Sequence, residues 1–212
     1  MFTLVSIQVG RPSSRPHPDG PWLSSIYKRT VNGPVRLDPL NLEGDEQADV
    51  NVHGGPDKAV CVYSADHFAY WQAVLGRPDL GAGAFGENFT VSGLDETTVC
   101  VGDVFAVGTV LVEVSQPRGP CWKLGRKWDR LDLPKLVLKA GKTGWYFRVK
   151  QPGKVAAGED IRLVDRPYAP WTIVEVNRVA YAKKTGEMLA ARRELASCPA
   201  LAESWRADLA GE

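Results

Sequence analysis

Cys121 has the surroundings of a reactive or metal-binding thiol. It follows two prolines at the end of an apolar alternation over 110–114, which predicts a strand that the prolines, lacking amide protons, cannot continue. We expect Pro120 to take the first position of a helical turn, which would place the sulfur near backbone N–H groups and the positive end of a helix dipole. Arg118 and Lys123 add two cations. Both effects favour the thiolate, which attacks electrophiles and binds metals, whereas the alternative is a buried structural cysteine.

The first of three polar loops contains His53, Gly54, Gly55 and Lys58. The glycines let backbone amides approach an anion, and the imidazole and ammonium groups supply donors. The loop therefore suits a phosphate-bearing ligand, although the same residues also form an ordinary turn. It lacks the Gly-x-x-x-x-Gly-Lys-Ser/Thr spacing of a P-loop.

Two further loops extend this polar set. Glu87 and Asn88 present a carboxylate and a carboxamide that either meet the edge of a heterocycle or satisfy the backbone of their own turn. The loop 141–144 leads into a strand with Arg148, which is either a fork for phosphate or carboxylate or a surface arginine. The loops together surround one thiol with four cations, which suggests an anionic cofactor anchored by a thiolate: Lys58, Arg118, Lys123 and Arg148.

Composition sets broad limits on the class of protein. The chain has 212 residues, enough for one domain with a small appendage, and a formal net charge of +1, which argues against non-specific binding of nucleic acid. No apolar stretch approaches the roughly 18 residues of a membrane span, and no signal peptide is apparent, so we expect a soluble cytoplasmic protein. The four cysteines lack Cys-x-x-Cys pairing, so neither a zinc ribbon nor a disulfide framework is expected.

Short apolar runs separated by turn residues predict a β-rich α+β fold, either a barrel or a sandwich. The predicted strands are 2–9, 23–29, 60–63, 88–91, 103–107, 110–115, 145–149 and 161–164. Two helical patterns interrupt them, one capped by Ser64 and continuing to Leu75, the other over 134–140 and ending at Gly141.

Pro167 and Pro170 mark a change of composition. Beyond them, Thr172 and Glu175 form the pattern of a capping box. Three short helices are predicted, over 172–183, 186–196 and 199–210. We expect the preceding β-rich part to remain soluble without them.

Five motifs in order carry a resemblance to a known family. They are Leu42-x-Gly44-Asp45-x-Gln47, His53 to Ala59, Phe85 to Asn88, Gly102-Asp103, and Ser115 to Leu124. The sequence resembles the MOSC family, named for the C-terminal domain of molybdenum cofactor sulfurases, and within it the bacterial YiiM-type proteins. The resemblance implies a MOSC-type β-barrel with short helices over 1–166, which binds the cofactor, and a small three-helix domain over 167–212.

The resemblance also implies a cofactor, the pyranopterin molybdenum cofactor, and no pyridoxal phosphate is expected. Cys121 would be the catalytic residue and the protein ligand to molybdenum, because a soft thiolate suits this metal. Asp45 and Glu87 would bind the pterin or instead hold the loop backbone. The full set of implied cofactor contacts is Asp45, His53, Gly54, Gly55, Lys58, Glu87, Asn88, Ser115, Arg118, Lys123 and Arg148.

The implied activity is a molybdenum-dependent reduction of N-hydroxylated compounds, in particular N-hydroxylated purine base analogues, as a detoxification. The chain has no Rossmann fingerprint and no iron–sulfur cysteine set, so a separate flavoprotein or similar protein would donate the electrons. No nucleic-acid polymer or membrane is expected as a partner, and the oligomeric state stays open. The alternatives are a sulfur carrier with a persulfide on Cys121 and a non-catalytic protein that binds molybdopterin or another phosphorylated heterocycle.

Other residues receive structural interpretations. His67 lies in a predicted helix and is interpreted as a packing or surface residue. Cys61 and Cys100 fall in or beside strand patterns and are expected to be small core residues, and Cys198 has a structural place before a helix. The Trp122 side chain either stacks on a planar ring or packs in the core, and Trp145 has the same two alternatives.

Overall fold

A closed β-barrel forms the body of the protein. The computed structural model describes residues 1–183 and 185–211, and within them the closed barrel has seven strands. The strands are β1 (Phe2–Val9), β2 (Ser13–Arg15), β3 (Trp22–Ser24), β4 (Arg29–Thr30), β5 (Val35–Leu37), β6 (Val60–Ser64), β7 (Phe89–Ser92), β8 (Val104–Val107), β9 (Val110–Pro117), β10 (Trp145–Gln151), β11 (Gly153–Val155) and β12 (Asp160–Asp165).

The barrel closes between its first and last strands. Neighbouring strands follow the order β12, β8, β9, β10, β6, β7, β1, and β1 returns to β12 with Phe2 opposite Ile161. The pairing of β6 with β7 is parallel, while the other barrel pairs are antiparallel. The short strand β4 extends the pairing of β1, and β2–β3 and β5–β11 form two small separate ladders.

The predicted fold class is confirmed, and seven of the predicted strands are the barrel strands. The prediction of one strand over 23–29 is wrong, because the chain turns between β3 and β4. The Ser24 hydroxyl accepts the backbone N–H of Ile26 at 3.1 Å, which fixes that turn. The strands β2, β5 and β11 were not predicted, since three residues are too few to show an alternation.

The helices are short and lie outside the barrel wall. They are α1 (Val50–His53), α2 (Phe68–Leu75), α3 (Trp122–Lys127), α4 (Leu133–Lys139), α5 (Ile173–Tyr181), α6 (Gly186–Ala196) and α7 (Glu203–Ala210). Ser64 caps a single 3-10 turn over 65–67 that leads into α2, and Gly141, with a φ of +66°, follows α4. These two helices and the three C-terminal ones match the prediction, whereas α1 was not predicted and α3 was expected only as a helical turn beginning at Pro120.

The C-terminal helices share one hydrophobic core with the barrel. Val176 and Val179 of α5 and Leu195 of α6 are fully buried in the same cluster as Val112 and Phe147 of the barrel. Within the described residues, no helix combines the length and apolar character that a membrane crossing requires.

A second apolar cluster lies under the helices α2, α3 and α4. Trp71 is fully buried there, and its indole N–H donates to the Tyr63 hydroxyl at 2.6 Å. The Tyr63 hydroxyl in turn donates to the carbonyl of Lys142 at 3.0 Å. The Tyr63 and Phe85 rings stack with centroids 4.2 Å apart. This cluster supports the loops that carry Phe85 and Cys121.

Candidate functional site

Cys121 lies at the junction between β9 and α3. It is the N-cap residue of α3, with an extended backbone and a thiol that makes no capping hydrogen bond. Pro120 therefore precedes the N-cap, and the expectation that it takes the first helical position is wrong. Cys121 is half-buried, while the other three cysteines are buried. Among the cysteines it is the accessible one.

The thiol lines a cleft of about 660 Å³ that includes space open to solvent. The cleft lies between the turn after β3, the loop before α1, the start of β6, the loop before β7, and the segment that joins β9 to α3. Predicted site residues that line it are Asp45, His53, Lys58, Asn88, Arg118, Cys121 and Lys123. Segments distant in sequence thus bring these seven side chains together.

Arg118 is the buried cation of this cleft. Its side chain donates through Nη2 to the carbonyl of Phe85 at 2.5 Å, and its backbone N–H donates to the carbonyl of Gly144 at 3.1 Å. Nη1 is buried and has no hydrogen-bond partner among residues 1–183 and 185–211. An unpaired guanidinium donor in a buried position is costly, so this atom is suited to an anionic ligand.

The pKa of His53 is affected by the positive charges around the cleft. Burial lowers its pKa from the ordinary 6.5, and the nearby charges of Lys123, Arg118 and Lys58 lower it further, against a smaller opposing effect of Asp49. The imidazole is therefore neutral at pH 7. A neutral ring can donate or accept a hydrogen bond without adding to the cationic charge.

Lys127 also belongs to this cationic region. Its ammonium donates to the carbonyls of Gly83 at 2.6 Å and Ile26 at 3.2 Å and so joins α3 to two loops of the cleft. Burial lowers the pKa of Lys127 to about 8, with further lowering by Arg118 and Lys28.

Asp45 and Asn88 form part of the wall, with their polar atoms already bonded to the protein. The Asp45 carboxylate accepts from the backbone N–H of Gly10 at 2.7 Å and from the Asn88 amide at 2.9 Å, and it pairs with Lys28. The Asn88 carbonyl accepts the backbone N–H of Cys61 at 3.1 Å. This network fixes the loops before α1 and before β7 against β6.

Five predicted contacts lie outside the cleft lining: Glu87, Ser115, Arg148, Gly54 and Gly55. Glu87 accepts from the backbone N–H groups of Gly83 and Phe85. Of its two predicted roles, it therefore has the one of holding the loop backbone. The Ser115 hydroxyl, which has one proton to donate, lies 2.5 Å from the carbonyl of Asp57 and 3.1 Å from that of Tyr146.

Arg148 is the third, and it pairs with Asp57 at 2.7 Å and with Glu113 at 2.9 Å on the barrel wall. Its guanidinium is therefore engaged by carboxylates of the protein itself. The two arginines that the sequence suggests as neighbours of the thiol therefore have different roles. Arg118 lines the cleft, whereas Arg148 connects the barrel to the segment after α1 through its ion pairs.

Gly54 and Gly55 also lie outside the lining, and they form the turn after α1. A Cβ on Gly54 would approach the carbonyl of Val50 at 2.9 Å, and Gly55 has a φ of +95°. Both positions therefore require glycine for the path of the chain.

Several cleft residues were not predicted. Cys61, Lys28 and Tyr146 line it, and burial raises the pKa of both the Cys61 thiol and the Tyr146 phenol above their ordinary values. Cys61 is buried as expected, yet it faces the cleft rather than only the core. The uniformly buried pattern of β6 carries no alternation that could have shown this.

His67 is part of a buried polar network, which corrects its interpretation as a packing or surface residue. It lies 2.6 Å from a Glu96 oxygen through Nε2 and 3.1 Å from the Lys142 ammonium through Nδ1. Because the ammonium can only donate, Nε2 carries the proton that is given to Glu96. The other Glu96 oxygen accepts the backbone N–H of Gly144 at 2.6 Å. The network thus holds the loop whose carbonyl receives the Arg118 N–H.

The C-terminal helices reach the same region. The backbone N–H of Ala202 donates to the carbonyl of Ser115 at 2.9 Å, and the Asn177 amide donates to the Thr143 hydroxyl at 3.0 Å. A Cβ on Gly119 would lie 3.9 Å from the Tyr181 hydroxyl. The helices therefore contact the segment that carries Cys121.

Comparison with known proteins agrees with this architecture. The MOSC domain profile matches residues 49–162, more than half of the chain, and the profile of the YiiM-like, 3-alpha helix domain matches residues 171–210. The chain belongs to the MOSC domain family. This MOSC protein is 44% identical to the Escherichia coli protein YiiM over 164 residues, covering 74% of this chain and 71% of YiiM.

Two further similarities bear on fold and activity. The crystal structure of YiiM from Geobacillus stearothermophilus superimposes with a TM-score of 0.82 at 40% identity, covering 99% of this chain and 97% of that one. A protein of Gibberella moniliformis named Reductase is 40% identical over 165 residues, which are 76% of this MOSC protein but only 29% of the fungal chain. The name Reductase describes that fungal protein, most of which lies outside the matched region.

Proposed function

We propose that this protein holds a pyranopterin molybdenum cofactor in the cleft and reduces N-hydroxylated compounds, with N-hydroxylated purine bases as substrates. The observation that supports this most directly is the pairing of an accessible thiol with an unsatisfied buried guanidinium in one cleft. The thiol of Cys121 offers the soft ligand that suits molybdenum. Arg118 Nη1 offers the donor that an anionic cofactor group needs.

The residues of the cleft divide the binding of such a cofactor among them. Arg118, Lys58 and Lys123 hold its anionic phosphate, and Cys121 ligates the metal. The network of Asp45 and Asn88 keeps the loops rigid beneath it, because its hydrogen bonds are already made within the protein. The bound cofactor supplies the two-electron redox chemistry, and the protein supplies position and field.

The proposed reaction breaks the N–O bond of the substrate. One R–NHOH, two electrons and two protons give one R–NH₂ and one water. The electrons come from a separate flavoprotein or similar donor. His53 lines the cleft in its neutral form, where it can orient the leaving hydroxyl by a hydrogen bond.

Replacement of Cys121 by serine tests the proposal. The protein is expressed in a host that makes the molybdenum cofactor, and molybdenum is measured by mass spectrometry and pterin by fluorescence after oxidation. We expect near-stoichiometric metal in the wild type and its loss in Cys121→Ser, because a hydroxyl is a poor substitute for a soft thiolate ligand. Cys61→Ser is the matched control, since that thiol lies in the same cleft but is expected to leave metal content unchanged.

The same measurement separates the alternatives. A wild type without molybdenum or pterin would contradict the proposal and favour the sulfur carrier, which mass spectrometry of a persulfide on Cys121 would then test. Equal reduction of an N-hydroxylated base by Cys121→Ser would also contradict it. Thermal melting of both variants without cofactor checks that they are folded.

A further inference from the structure

Cys121 lines two neighbouring cavities that differ in most of their other residues. The second cavity shares Ala48, His53, Cys121 and Lys123 with the cofactor cleft. Its remaining lining is largely apolar and aromatic: Trp22, Leu23, Asp49, Val50, Asn51, Val52 and Trp122. A ligand in either cavity would therefore lie next to the same cysteine.

Trp122 and Trp22 form an aromatic corner in this second cavity. Their ring centroids are 5.6 Å apart with an interplanar angle of 52°, and Trp122 is 52% exposed while Trp22 is buried. The Arg126 guanidinium lies 4.8 Å from the Trp122 ring centroid and supports it by a cation–π contact. The fixed Trp22 and Arg126 thus hold an exposed aromatic face next to Cys121.

The opposite wall comes from α1 and is held in place by two polar contacts. Asp49 caps α1 by accepting the backbone N–H groups of Asn51 and Val52. The Lys58 ammonium donates to the carbonyl of Val52 at 2.7 Å. Val50 and Val52 are 67% and 53% exposed, so this wall presents apolar surface. Exposed apolar groups that face a fixed aromatic ring favour a flat, poorly hydrated ligand.

We propose that this second cavity binds the ring of the substrate against Trp122, with the N-hydroxyl group directed to Cys121. The ligand class is a flat heteroaromatic ring, in preference to an aliphatic N-hydroxylated compound. This inference rests on the proposed function, because it takes the N-hydroxyl group from it. Trp122 is then a specificity-determining residue that acts by stacking.

Calorimetric titration with adenine tests the subsite without turnover, since adenine has no N–O bond to reduce. The wild type, Trp122→Leu and Trp122→Phe are titrated, and cyclohexanol serves as a saturated ring without a π face. Stacking of a base on an aromatic side chain corresponds to roughly a 5- to 150-fold gain in affinity. We therefore expect a loss in that range for Trp122→Leu, a smaller loss for Trp122→Phe, and much weaker binding of cyclohexanol.

Tyr70→Leu is the matched control, because Tyr70 is an exposed aromatic residue on α2 that does not line the second cavity. Adenine affinity that is unchanged in Trp122→Leu, or absent in the wild type, would overturn the subsite. If Trp122→Leu instead weakened only the coupling to an electron-donor protein, the surface would belong to that partner. Metal content is measured on the same samples. Failure of the cofactor proposal and failure of the subsite proposal therefore give different results.

Discussion

Two arginines of the predicted cation set show how the fold assigns different roles to one residue type. Arg118 is 6% exposed and keeps one guanidinium nitrogen without a partner in the described part of the chain. Arg148 instead pairs with Asp57 and Glu113. Arg118 therefore keeps a guanidinium donor for a ligand, whereas Arg148 uses its donors for carboxylates of the protein.

We predict that Arg118→Met and Arg148→Met separate binding from stability. A charge-assisted hydrogen bond contributes roughly 1.5–3 kcal/mol, so Arg118→Met should lower cofactor affinity by roughly 10- to 150-fold. Arg148→Met should instead lower the free energy of unfolding by about 1–3 kcal/mol, because it leaves carboxylates without their partner. Urea unfolding of the apoprotein and molybdenum content per folded molecule measure the two effects. The same loss of cofactor in both variants would contradict the assignment.

A second prediction at this scale concerns His53 and pH. Its pKa in the folded protein is lowered, so the unfolded chain binds a proton at a higher pH than the folded one. Stability should therefore fall as the pH drops below about 6.5 towards the lowered pKa, and it should recover as the pH rises through that window. His53→Gln should reduce this dependence. Thermal melting of the apoprotein between pH 5 and 8 measures it, and identical pH profiles would contradict the cause.

Sequence reasoning identified those site residues whose neighbours in the site are also their neighbours in the chain. The prolines and cations beside Cys121 are sequence neighbours, so their pattern was visible. Cys61 and Tyr146 reach the cleft only because β6 and β10 pair next to it, which no local pattern shows. The same is true of Lys28, whose partner Asp45 lies 17 residues away in the chain.

At the scale of elements, alternation predicted the barrel strands because one face of most of them is buried. The run 23–29 has the composition of a strand but turns at Ser24 to provide part of the cleft. The helices α1 and α3 have four and six residues, too few for a helical period to be recognised. Both flank the candidate site, and the sequence indicated only a helical turn where α3 begins.

The C-terminal helices lead to a prediction about truncation. The sequence suggested that residues 1–166 would stay soluble alone, whereas the shared core favours the opposite outcome. Deletion of 167–212 would expose barrel residues that Val176 and Val179 cover, so we expect a large loss of soluble protein. Soluble yield and cooperative thermal unfolding measure this. Co-expression of 167–212 as a separate chain should restore solubility, and a soluble, cooperatively melting 1–166 would contradict the prediction.

For the whole molecule, the fold class and the family followed from the sequence, because the five motifs occur in order, and four of them contribute residues to the cleft. The relative placement of the loops did not follow from it. The two cavities share His53 at the end of α1 and Cys121 and Lys123 at the start of α3, and α1 was not predicted. The division into a cationic cleft and an aromatic cavity is therefore a property of the tertiary structure.

The closure of the barrel between β1 and β12 has a consequence for biosynthesis. Phe2 belongs to the first barrel strand that the ribosome makes, and its partner Ile161 belongs to the last. At about 5–20 residues per second, the ribosome needs roughly 8–30 s to pass from one to the other. Throughout that interval the nascent chain carries β1 without its partner β12. Cys121 and the cleft loops leave the ribosome before β12 is made, so these loops are synthesised before the barrel that supports them can close.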